Sequence, residues 1–351
     1  VSILAHHLTG FEEVQEEDFE FVAQFEGGYN HVRIYKLFSG VDAGTYVVKV
    51  PSVGTTARWQ PKDAYMLRSE YGMMKLIHER TQCPVPEVIA FDDTLTNDLG
   101  TPFIIMRACS NVKASDLCFG STLEGNDDAV NVDHFTEEIS EKCKTLLESL
   151  ARAMAELGTL ESNHIGALDF DLADEDGDLV VGPTYQWKID GDTTEEDLTT
   201  DSVILEHPVH KSSREYFISG LRDAKSYKAT SAGRVKATHH LPVAVYSSEP
   251  FNASLKHGDA NETFVLRHDD LNFQNIFCDP DTGEVTGIIN WERASTAPRC
   301  IGYAALPIFF HDRSLPGLLA LLRGAHAVDA GGISPPLCGC DDRGDWFRGR
   351  W

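Results

Sequence analysis

The sequence predicts an α+β fold. Two observations carry that expectation. The first hundred residues alternate short apolar, β-branched runs with turn signals around a single helical stretch. The residues beyond them carry a long stretch of 3.6 periodicity, with short strands only near the end. The chain has 351 residues, and at roughly 150 residues per domain this suggests two lobes.

The strands come first. Phe21-Val-Ala-Gln-Phe25 is a short apolar run, His31 to Ser39 partly alternates, and Tyr46-Val-Val-Lys-Val50 is rich in β-branched residues. Gly40 to Gly44 separates the last two as a hairpin turn. Ala64 to Arg80 places Met66, Leu67, Met73, Met74 and Ile77 on one side of a helix that ends at Cys83-Pro-Val-Pro86. Val88 to Phe91 and Pro102 to Met106 are two further strands, completing a small, mostly antiparallel sheet with one helix. Arg107 to about Val132 reads as irregular. Phe135 to about Leu160 then forms a long helix with Ile139, Cys143, Leu146, Leu147, Leu150, Met154 and Leu157 on its apolar face. Asp190 to Asp197 reads as a solvated acidic loop and Ser212 to Arg222 as a helix. Phe264 to Leu266, Ile276 to Cys278 and Val285 to Ile289 are short strands, and Asp279-Pro-Asp-Thr-Gly283 is a turn. After about Leu315, Gly, Arg, Cys and Pro accumulate, and residues 316–351 do not read as part of a packed core.

Composition narrows the function. Apolar residues make up 42% and charged residues 24%, which excludes a disordered or fibrous chain. No apolar run reaches the roughly 20 residues that span a bilayer. The start of the chain has neither a basic segment nor a long apolar core, so no secretory signal is expected and a cytoplasmic protein is. Thirty basic residues against fifty-five acidic ones give −25. Such a surface disfavours nucleic acid and attracts a cationic small molecule, although solubility alone accounts for the charge. The eight cysteines are scattered, several in apolar stretches, as reduced buried thiols are.

The richest segment for chemistry is Arg267-His268-Asp269-Asp270-Leu271-Asn272-Phe273-Gln274-Asn275, set between two short strands. Phosphoryl transfer needs a carboxylate to orient and deprotonate a hydroxyl, and an oxygen ligand for magnesium a few residues on. Asp270 and Asn275 have those positions, while His268 reads as a residue that holds the loop. Taken alone, the segment could also be an acidic surface loop. Lys49 lies in a strand, and Glu70 lies near the apolar face of the helix that follows it. A carboxylate there needs a cation, and Lys49 is the natural one. Such a pair can hold nucleotide phosphates or be purely structural. The pair Gly27-Gly28 could admit phosphate to backbone N–H groups, or simply make a hairpin turn; it is not a G-x-G-x-x-G. Gly287-Ile-Ile-Asn290-Trp291-Glu292 ends an apolar strand with polar residues that could face a cleft or make a turn.

In this order, the set resembles the aminoglycoside phosphotransferase and choline-kinase-like superfamily, and within it the branch abundant in fungi. The resemblance runs from about Phe19 to about Arg313. It rests on Gly27-Gly28, Lys49, Glu70, Pro84-Val-Pro86 and Pro102 to Met106. It also rests on Ile165-Gly-Ala-Leu168, Val181-Gly-Pro183, His268 to Asn275 and Gly287 to Glu292. The resemblance implies a bilobal, protein-kinase-like fold. A β-rich N-lobe over residues 1–108 would join a mainly helical C-lobe over 109–315 near Met106 to Cys109, followed by the atypical tail 316–351.

It further implies ATP or GTP in the cleft, bound by Gly27, Gly28, Lys49, Glu70, Met106 and Ala108. Asp270 would be the catalytic base, and Asn275 and Asn290 would be ligands of Mg2+. The acceptor would be a small-molecule hydroxyl. One position departs from the family pattern, which has Asp where this chain has Asn290. A carboxylate beside a divalent ion is worth several kcal/mol even at an effective dielectric of about 20, so its loss predicts weaker metal binding and slower transfer. Two readings follow: an active small-molecule kinase, or a catalytically impaired nucleotide-binding pseudokinase. A protein kinase is the least supported reading, because there is neither a standard glycine-rich loop nor an A-P-E segment after Trp291.

Overall fold

In the computed structural model, residues 1–8, 16–38, 40, 42–119, 136–170, 179–187, 204–223 and 262–302 are described. A short helix, α1 (Ser2–Leu8), precedes three strands, β1 (Phe19–Glu26), β2 (Asn30–Leu37) and β3 (Gly44–Pro51). Helix α2 (Pro61–Arg80) leads to β4 (Val88–Asp92) and β5 (Phe103–Arg107). All five strands form one antiparallel sheet in the order β1-β2-β3-β5-β4. The expected strands and their helix are therefore present. Helix α1 has no counterpart in the sequence reading, although its Leu4 and Leu8 are four residues apart and buried.

Strand alternation distributes this sheet between two cores. Phe103 and Ile105 of β5, with Tyr46 and Val48 of β3, pack in the core that holds Leu4 and Leu8. Ile104 and Met106, with Val47, pack in the core that holds Leu67, Met73, Met74 and Ile77 of α2. Lys49 has the parity of Val47, so the sheet delivers it beneath α2. Phe21, Val22 and Phe25 stay exposed despite their apolar run, because β1 is the edge strand and neither core reaches them.

The stretch after Arg107 is less irregular than its sequence suggests. It opens with β6 (Val112–Lys113) and a one-and-a-half-turn helix, α3 (Ala114–Phe119). A two-residue strand carries no periodicity to read, but Ala114 and Cys118 are four apart and fully buried. The long helix is α4 (Glu137–Glu156), closed by a 3-10 turn at Leu157–Thr159. Its N-cap is Thr136, whose hydroxyl accepts from the Ile139 N–H at 3.2 Å. Short strands follow: β7 (Glu161–Ser162), β8 (Ala167–Leu168), β9 (Val181–Gly182), β10 (Thr184–Trp187) and β11 (Ile204–His207). Then come α5 (Ser213–Asp223), β12 (Phe264–Arg267), β13 (Ile276–Cys278), β14 (Val285–Ile288) and β15 (Ser295–Ala297).

The two segments Ile165 to Leu168 and Val181 to Pro183 prove to be partners, since β8 pairs with β9. A Cβ on Gly166 would lie 2.2 Å from the Gly182 carbonyl oxygen, so the close pairing requires glycine there. Strands β12 and β13 lie in separate three-stranded sheets, β15-β12-β7 and β14-β13-β6. The described cysteines are free, and Cys83, Cys118, Cys143 and Cys278 are buried. Among the described residues no helix is long and apolar enough to cross a membrane. The acidic segment 190–197 and the tail 316–351 lie outside the described residues. The architecture is α+β: a β-rich first part and a second part built on α4 and short sheets.

Helix α2 carries Glu70, and its start is set by charge. Asp63 sits in the first turn and accepts from the Gln60 N–H at 3.0 Å, but burial raises its carboxyl to about 6. The folded chain therefore holds a proton at Asp63 that the unfolded chain has released between about pH 4 and pH 6. Stability should fall as pH rises through that window. Denaturant titrations at a series of pH values should show the decline, and Asp63→Asn should flatten it.

Candidate active site

The loop between β12 and β13 turns on one hydrogen-bonded residue. His268 is buried, and its Nε2 lies 2.9 Å from the Ile289 carbonyl while its Nδ1 accepts the Asp270 N–H at 3.2 Å. Accepting at Nδ1 makes the ring a donor at Nε2, the neutral form that burial also favours by lowering its pKa. Trp291 packs edge-on against it at 4.6 Å. His268 thus fixes the loop, as its sequence position suggested. Asn272 then caps a 3-10 turn, Phe273–Asn275, by accepting from the Gln274 N–H.

Three amides converge on one carboxylate, two from this turn and one from the loop after β14. Asn272 Nδ2 donates to Asp270 Oδ1 at 2.9 Å. Asn275 Nδ2 donates to Asp270 Oδ2 at 2.9 Å and to the Asp270 carbonyl at 2.8 Å. Asn290 Nδ2 donates to the same Oδ2 at 3.2 Å. A carboxylate has about four lone-pair positions. Oδ2 therefore has two amide partners and Oδ1 one, which leaves acceptor capacity on Oδ1. Asp269 faces elsewhere, 3.2 Å from Arg267 and 3.6 Å from Arg293, so it does not substitute for the missing carboxylate at 290.

On the sheet side, Lys49 Nζ meets Glu70 Oε1 at 2.6 Å, with both side chains buried. This is the pairing that helix spacing and the need of a buried carboxylate for a cation predicted. A second carboxylate joins it: Glu292 Oε2 lies 3.3 Å from Lys49 Nζ and accepts from Asn30 Nδ2 at 2.8 Å. Burial opposes the charge on Lys49, but Glu70 and then Glu292 outweigh it, and the ammonium holds its proton more tightly than an ordinary lysine. Burial pushes Glu70 up, with Lys49 pulling against it. Burial would also raise Glu292, but Lys49 and the Asn30 amide bring its carboxyl below the usual range.

The loop after β14 reaches both centres. Asn290 contacts Asp270, and Glu292 contacts Lys49 two residues later. Asn290 and Arg293 both have left-handed backbones, at φ 70° and φ 63°. Asparagine tolerates that conformation better than most residues. Trp291 anchors the loop through Nε1 to the Ile288 carbonyl at 2.7 Å. Ile288 in turn donates to the Pro84 carbonyl, which gives the Pro84-Val-Pro86 turn its place in the site. Gly287 packs against Cys109, where a Cβ would lie 2.4 Å from the sulfur.

The remaining sequence-derived positions are less uniform. The Gly27 N–H donates to the Asn30 carbonyl at 2.8 Å and so closes the hairpin. Gly28 has open space where a Cβ would stand, so a ligand can approach its backbone. Met106 is buried in the core beneath α2, and the Ala108 N–H is taken by the Thr45 carbonyl at 2.8 Å. The asparagines do not, as arranged, form a magnesium site. They present amide nitrogens rather than oxygens to Asp270, and an ion shared with that carboxylate requires both amides to turn. Among the described residues no cluster of three His, Cys, Asp or Glu side chains could hold a metal. Glu292 is the residue the sequence reading named without placing. Its only sequence signal is a polar residue just past a buried tryptophan.

No protein-family model matches the chain, and no curated protein matches it. Solved structures do. Aminoglycoside phosphotransferase APH(4)-Ia aligns with 16% identity and a TM-score of 0.47, covering 89% of this chain and 79% of that one. APH(3'')-Id from Streptomyces rimosus aligns with 13% identity and a TM-score of 0.40, covering 95% and 92%. Choline kinase from Cryptosporidium parvum aligns with 10% identity and a TM-score of 0.40, covering 84% and 64%. At such identities its chemistry has to be inferred from its own side chains.

The shared ammonium makes a test by substitution. Lys49→Ala leaves the buried Glu70 and the partly exposed Glu292 without their cation and should cost about 3–5 kcal/mol. Glu70→Ala leaves Lys49 with Glu292 and should cost less. Urea unfolding of both variants checks the order, and an equal or larger loss for Glu70→Ala would contradict the shared-cation arrangement.

Proposed function

We propose that the chain is a small-molecule kinase-like phosphotransferase, which moves the γ-phosphate of ATP or GTP to a substrate hydroxyl. One observation carries this reading: a single loop, Asn290-Trp291-Glu292, touches the buried Lys49–Glu70 pair at one end and Asp270 at the other. A lysine for phosphates and a carboxylate for a hydroxyl are the two groups that positioning catalysis of phosphoryl transfer needs.

In this reading the nucleotide lies between the hairpin at Gly27 and Gly28 and the strand that leads through Met106 to Ala108. Lys49, oriented by Glu70, meets its phosphates. The acceptor hydroxyl approaches Asp270 Oδ1, the less occupied of the two carboxylate oxygens; Asp270 takes its proton as the oxygen attacks the γ-phosphorus, and the bond to the β–γ bridging oxygen breaks to release the nucleoside diphosphate. Asn272, Asn275 and Asn290 orient that carboxylate. Asn275 and Asn290 can offer a cation only their amide oxygens. The acidic chain suits a cationic acceptor. The corresponding boundaries are an N-lobe ending near residue 108 and a C-lobe beyond it.

A second reading, a nucleotide-binding protein with impaired transfer, is favoured by Asn290 itself. Its amide satisfies Asp270 directly where a carboxylate and a cation would otherwise be needed. An assay of ATP consumption against a panel of hydroxyl compounds, cationic ones included, separates the two. In an active kinase, Asp270→Ala should lower turnover by about 100- to 10,000-fold while leaving ADP binding intact. Nucleotide binding without turnover on any acceptor, together with transfer gained by Asn290→Asp, would establish the second reading instead.

A further inference from the structure

The lysine ammonium has three N–H donors, and two carboxylates engage it here. They are not equivalent. Glu70 projects from the helix packed on Lys49's own sheet, lies 2.6 Å away and has a side chain only 5% exposed. Glu292 reaches in from the loop after β14, lies 3.3 Å away and is 25% exposed. Charge-assisted N–H···O contacts ordinarily run about 2.7–2.9 Å, so the Glu292 contact is loose and the Glu70 contact is tight. Glu292 also accepts from Asn30, which follows the Gly27-Gly28-Tyr29 tip of the hairpin. The other charges nearby are Arg293, which favours the ionised Glu292, and Asp269, which shares Arg293. One ammonium faces two carboxylates, so the cluster is net negative where a phosphate would dock.

We propose that Glu292 sets nucleotide affinity by competing with phosphate oxygens for the Lys49 ammonium and the Asn30 amide, while Glu70 acts in the opposite sense by holding Lys49 in place. The proposal rests on the nucleotide reading above. A phosphate oxygen and a carboxylate oxygen ask the same of these donors: each is a charged acceptor. The loosely held carboxylate gives way, and its residual charge repels the newcomer. Glu292 is thus a positioning residue whose charge opposes binding.

A structural role and a competing role predict different signs. Calorimetric titration of ADP into the full chain is the test, with and without magnesium, using wild type, Glu292→Gln and Glu70→Gln. Glutamine at 292 keeps an acceptor for Asn30 but removes the charge, and ADP affinity should rise about 3- to 10-fold. Glu70→Gln should weaken it by a similar factor. Glu292→Ala should shift affinity in the same direction as Glu292→Gln, which guards against a misfolded variant. Wild-type affinity or weaker in both Glu292 variants overturns the proposal and leaves the nucleotide reading standing. If neither wild type nor Glu292→Gln binds ADP at millimolar concentration while both remain folded, the nucleotide reading fails and the proposal falls with it.

Discussion

The site depends on keeping a buried lysine charged. An isolated ammonium in a protein interior loses several kcal/mol of solvation, and β3 places Lys49 under α2, where water does not reach it. Glu70 compensates from the helix and Glu292 from the loop after β14. The second compensation has the wider structural consequence. It draws a residue from the far end of the chain onto the first sheet, and Asn30 joins it from the glycine hairpin. Sheet, helix, hairpin and loop are therefore mutually positioned by one cation. A substitution that neutralises any of the three charges changes both stability and the electrostatics at the mouth of the site.

The second centre has a different logic. Asp270 is held by amides instead of by a counter-ion. Amide donors stabilise a carboxylate while adding no charge, and their positions are fixed by backbone geometry: a capped 3-10 turn for Asn272 and Asn275, and a left-handed residue for Asn290. His268 fixes the loop beneath by accepting the Asp270 N–H. With one hydrogen bond on Oδ1 and two on Oδ2, the carboxylate is asymmetric, and under the proposed function that asymmetry would give an incoming hydroxyl a preferred oxygen.

Much of this was legible in the sequence, and the reason differs from residue to residue. Lys49 and Glu70 could be paired because helix spacing is a local rule and an acid on an apolar face demands a cationic partner. The 3-10 loop could be found because its polar residues are contiguous. Helix α1, β6 and α3 were missed because each is too short for a period to emerge, and α1 exists only by docking on the sheet. The exposure of Phe21 and Phe25 was hidden because an apolar run does not say whether its strand is central or at an edge. The directions of Asp269 and Glu292 were not legible. Glu292 is turned by Lys49 and Asn30, 243 and 262 residues away, and by the left-handed residues that flank it, which the local sequence does not reveal. Asp269 turns to two arginines and Glu292 to Lys49.

That division of carboxylates bears on what asparagine does at 290. Counting the groups that converge on the loop, one ammonium stands against the carboxylates of Glu70, Glu292 and Asp270, a net of two negative charges. Aspartate at 290 would add a third, close to Asp270 Oδ2, where like charges repel unless a cation lies between them. Asparagine replaces that repulsion with a hydrogen bond. It lowers the cation demand of the site and at the same time lowers its power to hold a cation, so the two effects cannot be separated by inspecting the metal position alone. They separate at Lys49. Under the proposed function, a site with asparagine at 290 would lean more heavily on its one lysine to meet phosphate, and the carboxylate that shares that lysine would have more influence over binding than it would beside a strongly held divalent ion.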